Sequence, residues 1–258
     1  MKAIDEFTHP PLALPLAQLG NLFSLHKKLP PAPSAKGLDQ WKIEDDDAPI
    51  FEFLYQAHQP RRHLEFGTWQ GWGTSLCVES CAATVWTINL PDGENRSDGT
   101  WAYGERATNT SNAPQGIVTA NFGEDELGPR TYHRTDAGVY IGRIYREKGL
   151  GKRVCQIYCD SRDWDTSNYP VDFFDSVLID GGHQPELVVN DTRKALQVLR
   201  SGGLMMWHDF CPLPEIRSQF ESAKGVTAGI ELILPELQSQ LKNLCWINPS
   251  WILLGIKK

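Results

Sequence analysis

Two short stretches concentrate the residues that can do chemistry. Ile179-Asp-Gly-Gly-His183 closes one apolar run, and Met206-Trp-His-Asp209 closes the next. Imidazole titrates near neutrality and suits a general base, whereas carboxylate oxygens suit a hard divalent cation. An ionisable group at the end of a buried strand needs water, a partner or a metal to offset its desolvation. A lone Asp or His there is most often structural. Two Asp-and-His pairs on consecutive core strands favour a site made of Asp180, His183, His208 and Asp209.

A third stretch is His63-Leu-Glu-Phe-Gly-Thr-Trp-Gln-Gly-Trp-Gly-Thr-Ser75, an apolar strand running into a glycine turn and then a helix. Gly67, Gly71 and Gly73 let the chain turn sharply and let a ligand come close, and the helix start presents free N–H groups. Glu65 places a carboxylate within reach of a cationic ligand. The spacing is not the G-x-G-x-x-G of dinucleotide folds. A glycine turn alone occurs in many nucleotide-binding folds.

These residues need a scaffold that brings strand ends together. From about residue 50 onward, short β-branched and aromatic runs alternate with helical stretches, which predicts a parallel sheet built of βαβ units. Strands are expected at 63–66, 84–88, 153–158, 176–180 and 204–207, then a closing pair at 244–247 and 251–256 with Asn248-Pro249 as the turn. Thr74-Ser75 caps a helix reaching about Ala83, and Pro185 opens another that Gly202-Gly203 ends. In open α/β sheets ligands bind at the carboxyl ends of the strands, where strand order reverses.

Two segments stand apart. Residues 1–49 form a Pro-rich extension, read as extended chain wrapping the body or covering a neighbouring subunit, and its Glu44-Asp45-Asp46-Asp47 run reads as a solvated turn or helix start. Residues 91–130 form a polar insertion carrying Trp101 and Tyr103, read as a lid over an acceptor or as a surface loop. The rest, 50–258, is one domain.

The chain of 258 residues has 41% hydrophobic and 22% charged residues and a net charge of -7, so it is expected to be globular and a poor partner for nucleic acid. Asp5 and Glu6 stand where a secretory signal would carry basic charge, and no apolar stretch is long enough for a membrane helix. Six cysteines without a C-x2-C spacing fit buried thiols in a reducing cytoplasm better than disulfides or a zinc knuckle.

Glu65-Phe-Gly-Thr-Trp-Gln-Gly-Trp-Gly-Thr-Ser75 resembles motif I of the class I S-adenosylmethionine-dependent methyltransferases. Val85 to Pro91 resembles the second strand of that family, with Asn89 where an acidic residue usually meets the ribose hydroxyls. Cys159-Asp160-Ser161 resembles the segment that addresses the adenine. The Asp180 and Asp209 segments are similar to the family-24, macrocin-type small-molecule O-methyltransferases. The resemblance spans roughly 60–210. It implies an α/β, Rossmann-like, doubly wound, mainly parallel seven-stranded sheet with a C-terminal antiparallel hairpin.

The resemblance also implies S-adenosylmethionine held by Glu65, Gly67, Thr68, Gly71, Gly73, Thr74, Ser75, Asn89, Asp160, Ser161 and Asp180. His183 would act as base with Asp180 beside it, transferring methyl to a hydroxyl of a small molecule such as a sugar or phenol. In relatives that use Mg2+, residues matching Asp180 and Asp209 are ligands, and His208, at a position often acidic there, is the third candidate metal residue. Two other readings stay open on the residues alone: an NAD-dependent oxidoreductase and a non-catalytic ligand-binding protein.

Overall fold

The computed structural model describes residues 11–23, 29–32, 35–90 and 141–258. The insertion expected at 91–130, with Trp101 and Tyr103, lies outside the described residues, as do Asp5, Glu6 and parts of the Pro-rich extension.

Among the described residues, eight strands form one sheet: β1 (Leu12–Pro15), β2 (Arg62–Phe66), β3 (Thr84–Asn89), β4 (Val154–Tyr158), β5 (Phe174–Ile179), β6 (Leu199–Trp207), β7 (Leu241–Asn248) and β8 (Leu253–Lys257). Their spatial order is β1-β7-β8-β6-β5-β2-β3-β4. All neighbours run parallel except β8, which is antiparallel to both β6 and β7. This is the doubly wound, Rossmann-like sheet with a closing hairpin that the alternation of runs predicts. The difference is an eighth strand. Leu12–Pro15, in the Pro-rich extension, pairs with β7 at the sheet edge, where a proline without an N–H is tolerated.

Among the described residues, six α-helices flank the sheet: α1 (Ile43–His58), α2 (Trp72–Ser80), α3 (Arg143–Glu147), α4 (Pro185–Val198), α5 (Pro214–Arg217) and α6 (Glu221–Gln240). β2-α2-β3 winds outward in one direction and β5-α4-β6 in the other. Right-handed crossovers therefore put α2 and α4 on opposite faces. α1 packs on α2, and α6 packs on α4. Covered on both sides, β5 is buried along its whole length, as are Leu204–Trp207 of β6. The expected boundary at 49/50 falls inside α1, whose Ile50, Phe51 and Leu54 belong to the core. Among the described residues no helix is long and apolar enough to cross a membrane.

Candidate active site

Strand order reverses between β2 and β5, and the chemistry-bearing residues gather at the carboxyl ends beside that point. Gly67 follows β2, Asn89 ends β3, Asp160 follows β4, Asp180 follows β5, and His208-Asp209 follows β6. Backbone hydrogen bonds carry the ladder past the strand ends: Asp180 N–H to Phe66 C=O at 2.8 Å and His208 N–H to Ile179 C=O at 3.1 Å. Together these ends enclose a cavity of about 500 Å³. That volume suits a nucleoside-sized ligand.

The glycine turn forms one wall. Gly67 has φ +97°, and a Cβ there would run into the backbone carbonyl of Asp180, so only glycine lets β2 and β5 stay this close at their ends. Asn89 holds the turn in place. Its Oδ1 accepts the N–H of Thr68 at 3.2 Å and of Trp69 at 3.0 Å, and its Nδ2 donates to Leu90 C=O at 2.9 Å.

Glu65 lies behind this wall. Its carboxyl accepts hydrogen bonds from Thr74 Oγ1 and, at 2.6 Å, from Thr87 Oγ1, and it abuts Gly73. Complete burial pushes its pKa up to about 8 against the two threonine bonds, with the charge of Asp180 adding to the rise.

Opposite, the β4 end carries Asp160. Hydrogen bonds from the Arg162 side chain, the shortest at 2.5 Å, hold its carboxyl below the usual range. Asp191 of α4 faces the same wall. Burial raises it to about 6, against hydrogen bonds from Ser161 and Asn190. Lys194 Nζ fastens the loop by donating to the carbonyls of Ser161, Arg162 and Trp164 at 2.8, 2.6 and 2.6 Å.

The third wall is the Asp-His cluster. His183 Nε2 lies 3.1 Å from Asp209 Oδ2, and Ser222 Oγ donates to Asp209 Oδ1 at 3.1 Å. Burial pushes Asp209 upward, but the His183 bond and the nearby His208 outweigh it and leave the carboxyl at about 2. His208 presents Nδ1 to Asp180 Oδ1 and Nε2 to Asp47 Oδ2, each at 3.1 Å. Burial alone would favour a neutral ring. The charge and hydrogen bond of Asp180, the Asp47 bond and the nearby Asp209 overcome it and hold His208 protonated well above the usual imidazole range.

Whether this cluster suits a metal depends on its donors. Asp180, His183 and Asp209 each offer one ligand atom, all within 4.8 Å of one another. Magnesium prefers an all-oxygen shell with several waters, so a set of two carboxylates and an imidazole fits it poorly and fits a softer divalent ion better. His208 turns both ring nitrogens to carboxylates, and its Nδ1 also lies 4.0 Å from Asp209 Oδ2.

Of the residues singled out in the sequence, Gly67, Thr68, Gly73, Asn89, Asp160, Ser161, Asp180, His183, His208 and Asp209 line the cavity. Glu65, Gly71, Thr74 and Ser75 do not. Gly71 caps α2 with φ +84°, Ser75 Oγ donates to Gly71 C=O at 2.6 Å, and Thr74 is spent on Glu65. Two residues escaped the sequence reading. Asp191 lies in the stretch after Pro185 that reads as helix, and its place in the sequence gives it no separate role. Asp47 sits in an acidic run read as a solvated turn or helix start, yet it is fully buried on α1. Trp41, six residues before it and hydrogen-bonded to it, was the one local sign of a buried partner.

Residues 64–210, more than half of the chain, match the model of a family described as a methyltransferase domain. No curated protein matches the chain. Among solved structures, the cofactor-bound Rv0187 from MTB is similar at a TM-score of 0.52 and 17% identity, over 84% of this chain and 82% of that one. The SAH-bound methyltransferase PaMTH1 of Podospora anserina is similar at 0.52 and 12%, over 85% and 80%. At these identities the two likenesses speak for the fold.

Proposed function

Because the chain belongs to the methyltransferase-domain family whose model spans residues 64–210, we propose that it transfers a methyl group from S-adenosylmethionine to a hydroxyl oxygen of a small molecule. The observation that carries this reading is the His183–Asp209 pair at 3.1 Å, set in the same cavity as the glycine turn. A hydroxyl attacks poorly unless its proton leaves, and an imidazole fixed by a carboxylate is a competent acceptor for it.

In this reading Asp160 and Ser161 would hold the adenine, Asn89 the ribose, and Gly67, Thr68 and Gly73 the methionine end, with Glu65 and Thr74 bracing that wall from behind. When bound, the cofactor supplies an electrophilic methyl on a sulfonium and leaves as a neutral thioether. The chain does the rest. Asp209, held as a carboxylate, accepts a hydrogen bond from His183 Nε2 and fixes the orientation of the ring. His183 would take the acceptor's hydroxyl proton, leaving the oxygen able to accept the methyl that the cofactor supplies. Asp180 lines the same wall and orients the acceptor.

A second reading rests on the convergence of Asp180, His183 and Asp209. These three would hold a softer divalent ion, which would lower the acceptor's hydroxyl pKa. Methyl transfer from labelled cofactor to a panel of sugars and phenols, with and without chelator, tests both. Labelled product unaffected by chelator supports the base reading. Loss of product on chelation, restored by manganese or zinc, supports the second. Cofactor binding without transfer to any hydroxyl compound contradicts both.

A further inference from the structure

Asp47 lies on α1, outside the residues matched by the family model. Its carboxylate is fixed from three directions. Oδ1 accepts the indole N–H of Trp41 at 2.9 Å and the backbone N–H of Trp251 at 3.4 Å, while Oδ2 faces His208 Nε2 at 3.1 Å. One turn further along α1, Phe51 sets its ring edgewise against the His208 ring, with centroids 5.5 Å apart at 67°. Held by both, His208 delivers Nδ1 to Asp180 Oδ1. Carboxylates only accept, so both ring nitrogens serve as donors.

A buried chain of this kind adds little net stability over an apolar replacement. Its last member, however, lines the cavity. We propose that Asp47 and His208 are positioning residues for the transfer step: through them α1 fixes the side chain of Asp180, committing Oδ1 to His208 and leaving Oδ2 for the acceptor. The inference rests on the methyl-transfer reading for its catalytic consequence. Its geometry stands separately. It makes the segment before the first motif a working part of the site, since loosening α1 would release Asp180 although no residue of α1 lines the cavity.

The test compares Asp47→Asn, His208→Gln and the double variant in the full chain, with activity expressed per folded molecule. Asn keeps the size of Asp47 and can still accept from Trp41. The expected result is a kcat lower by about tenfold or more in each single variant, the scale of losing one hydrogen bond to a charged group. The acceptor KM and the Kd for S-adenosylhomocysteine should stay within about twofold, and the double variant should be no worse than the poorer single one. A merely structural role would lower thermal stability and leave kcat per folded molecule unchanged, which would overturn the proposal.

A crystal structure of Asp47→Asn reads the geometry without turnover. Asp180 rotated away from its wild-type position supports positioning even if no acceptor is found, and Asp180 unmoved overturns it. If Asp47→Asn does not fold, the same two readouts on His208→Gln decide.

Discussion

His183 Nε2 and Asp209 Oδ2 lie 3.1 Å apart at the ends of two neighbouring parallel strands, and Asp209 adopts φ +56°, a left-handed conformation uncommon for aspartate. Backbone strain of this kind persists where the surroundings over-determine it, and here Ser222 and His183 hold both carboxylate oxygens. The pair predicts a division of labour. His183→Ala should lower kcat by roughly 10²–10⁴-fold, the range of general-base catalysis. Asp209→Asn should lower it less, through loss of the carboxylate that fixes the ring. The Kd for S-adenosylhomocysteine should hardly change in either. Steady-state kinetics with calorimetry checks this, and an active His183→Ala would contradict it.

Glu65 gives a stability prediction with a definite sign. Its pKa rises from 4.5 in the ordinary state to about 8 in the fold, so the folded state keeps a proton that the unfolded chain has lost. The contribution to stability is complete below about pH 4.5 and is lost as pH climbs toward about 8. Glu65→Gln stays uncharged at every pH. Its melting temperature should fall less than that of the wild type between pH 5 and pH 8, a window set by those two values. Parallel melting curves for the two proteins would contradict the assignment.

Asn89 should matter for the cofactor through the turn it holds. Asn89→Ala leaves the N–H groups of Thr68 and Trp69 without their shared acceptor. At about 1 kcal/mol for each of the two net hydrogen bonds, cofactor affinity should fall by up to roughly thirtyfold. Asn89→Asp keeps both acceptor contacts but sets an anion against the Leu90 carbonyl, and should fall between the two. Titration with S-adenosylhomocysteine ranks the three proteins. An unchanged Kd for Asn89→Ala would show that the turn is held by other means.

The sequence reading and the structure part company where contacts are long-range. Strand ends and the glycine turn were legible because periodicity and glycine placement are local properties. The apolar run of β5 places that strand within two residues, whereas β6 starts at Leu199, five residues before the run expected at 204–207, and takes in Gly202-Gly203, which read as the end of the preceding helix. β1 was not legible, because Leu12–Pro15 among prolines carries no strand signal, and its pairing with β7 crosses more than two hundred residues of sequence. Asp47 was hidden for the same reason. Four consecutive acidic residues read as solvated, and only the fold brings His208 to one of them across a separation of 161 positions. Glu65 shows the converse limit. Its place beside the glycine turn was right there in the sequence, but whether its carboxyl faces the ligand or the threonines depends on side-chain direction, which spacing does not encode.

A crystal structure with S-adenosylhomocysteine tests the central claim most directly. The adenine is expected beside Asp160 and Ser161, the ribose at Asn89, and the thioether sulfur facing His183 with room for one acceptor oxygen between them. A ligand bound elsewhere, or one in this cavity with its sulfur turned away from His183 and Asp209, would contradict it.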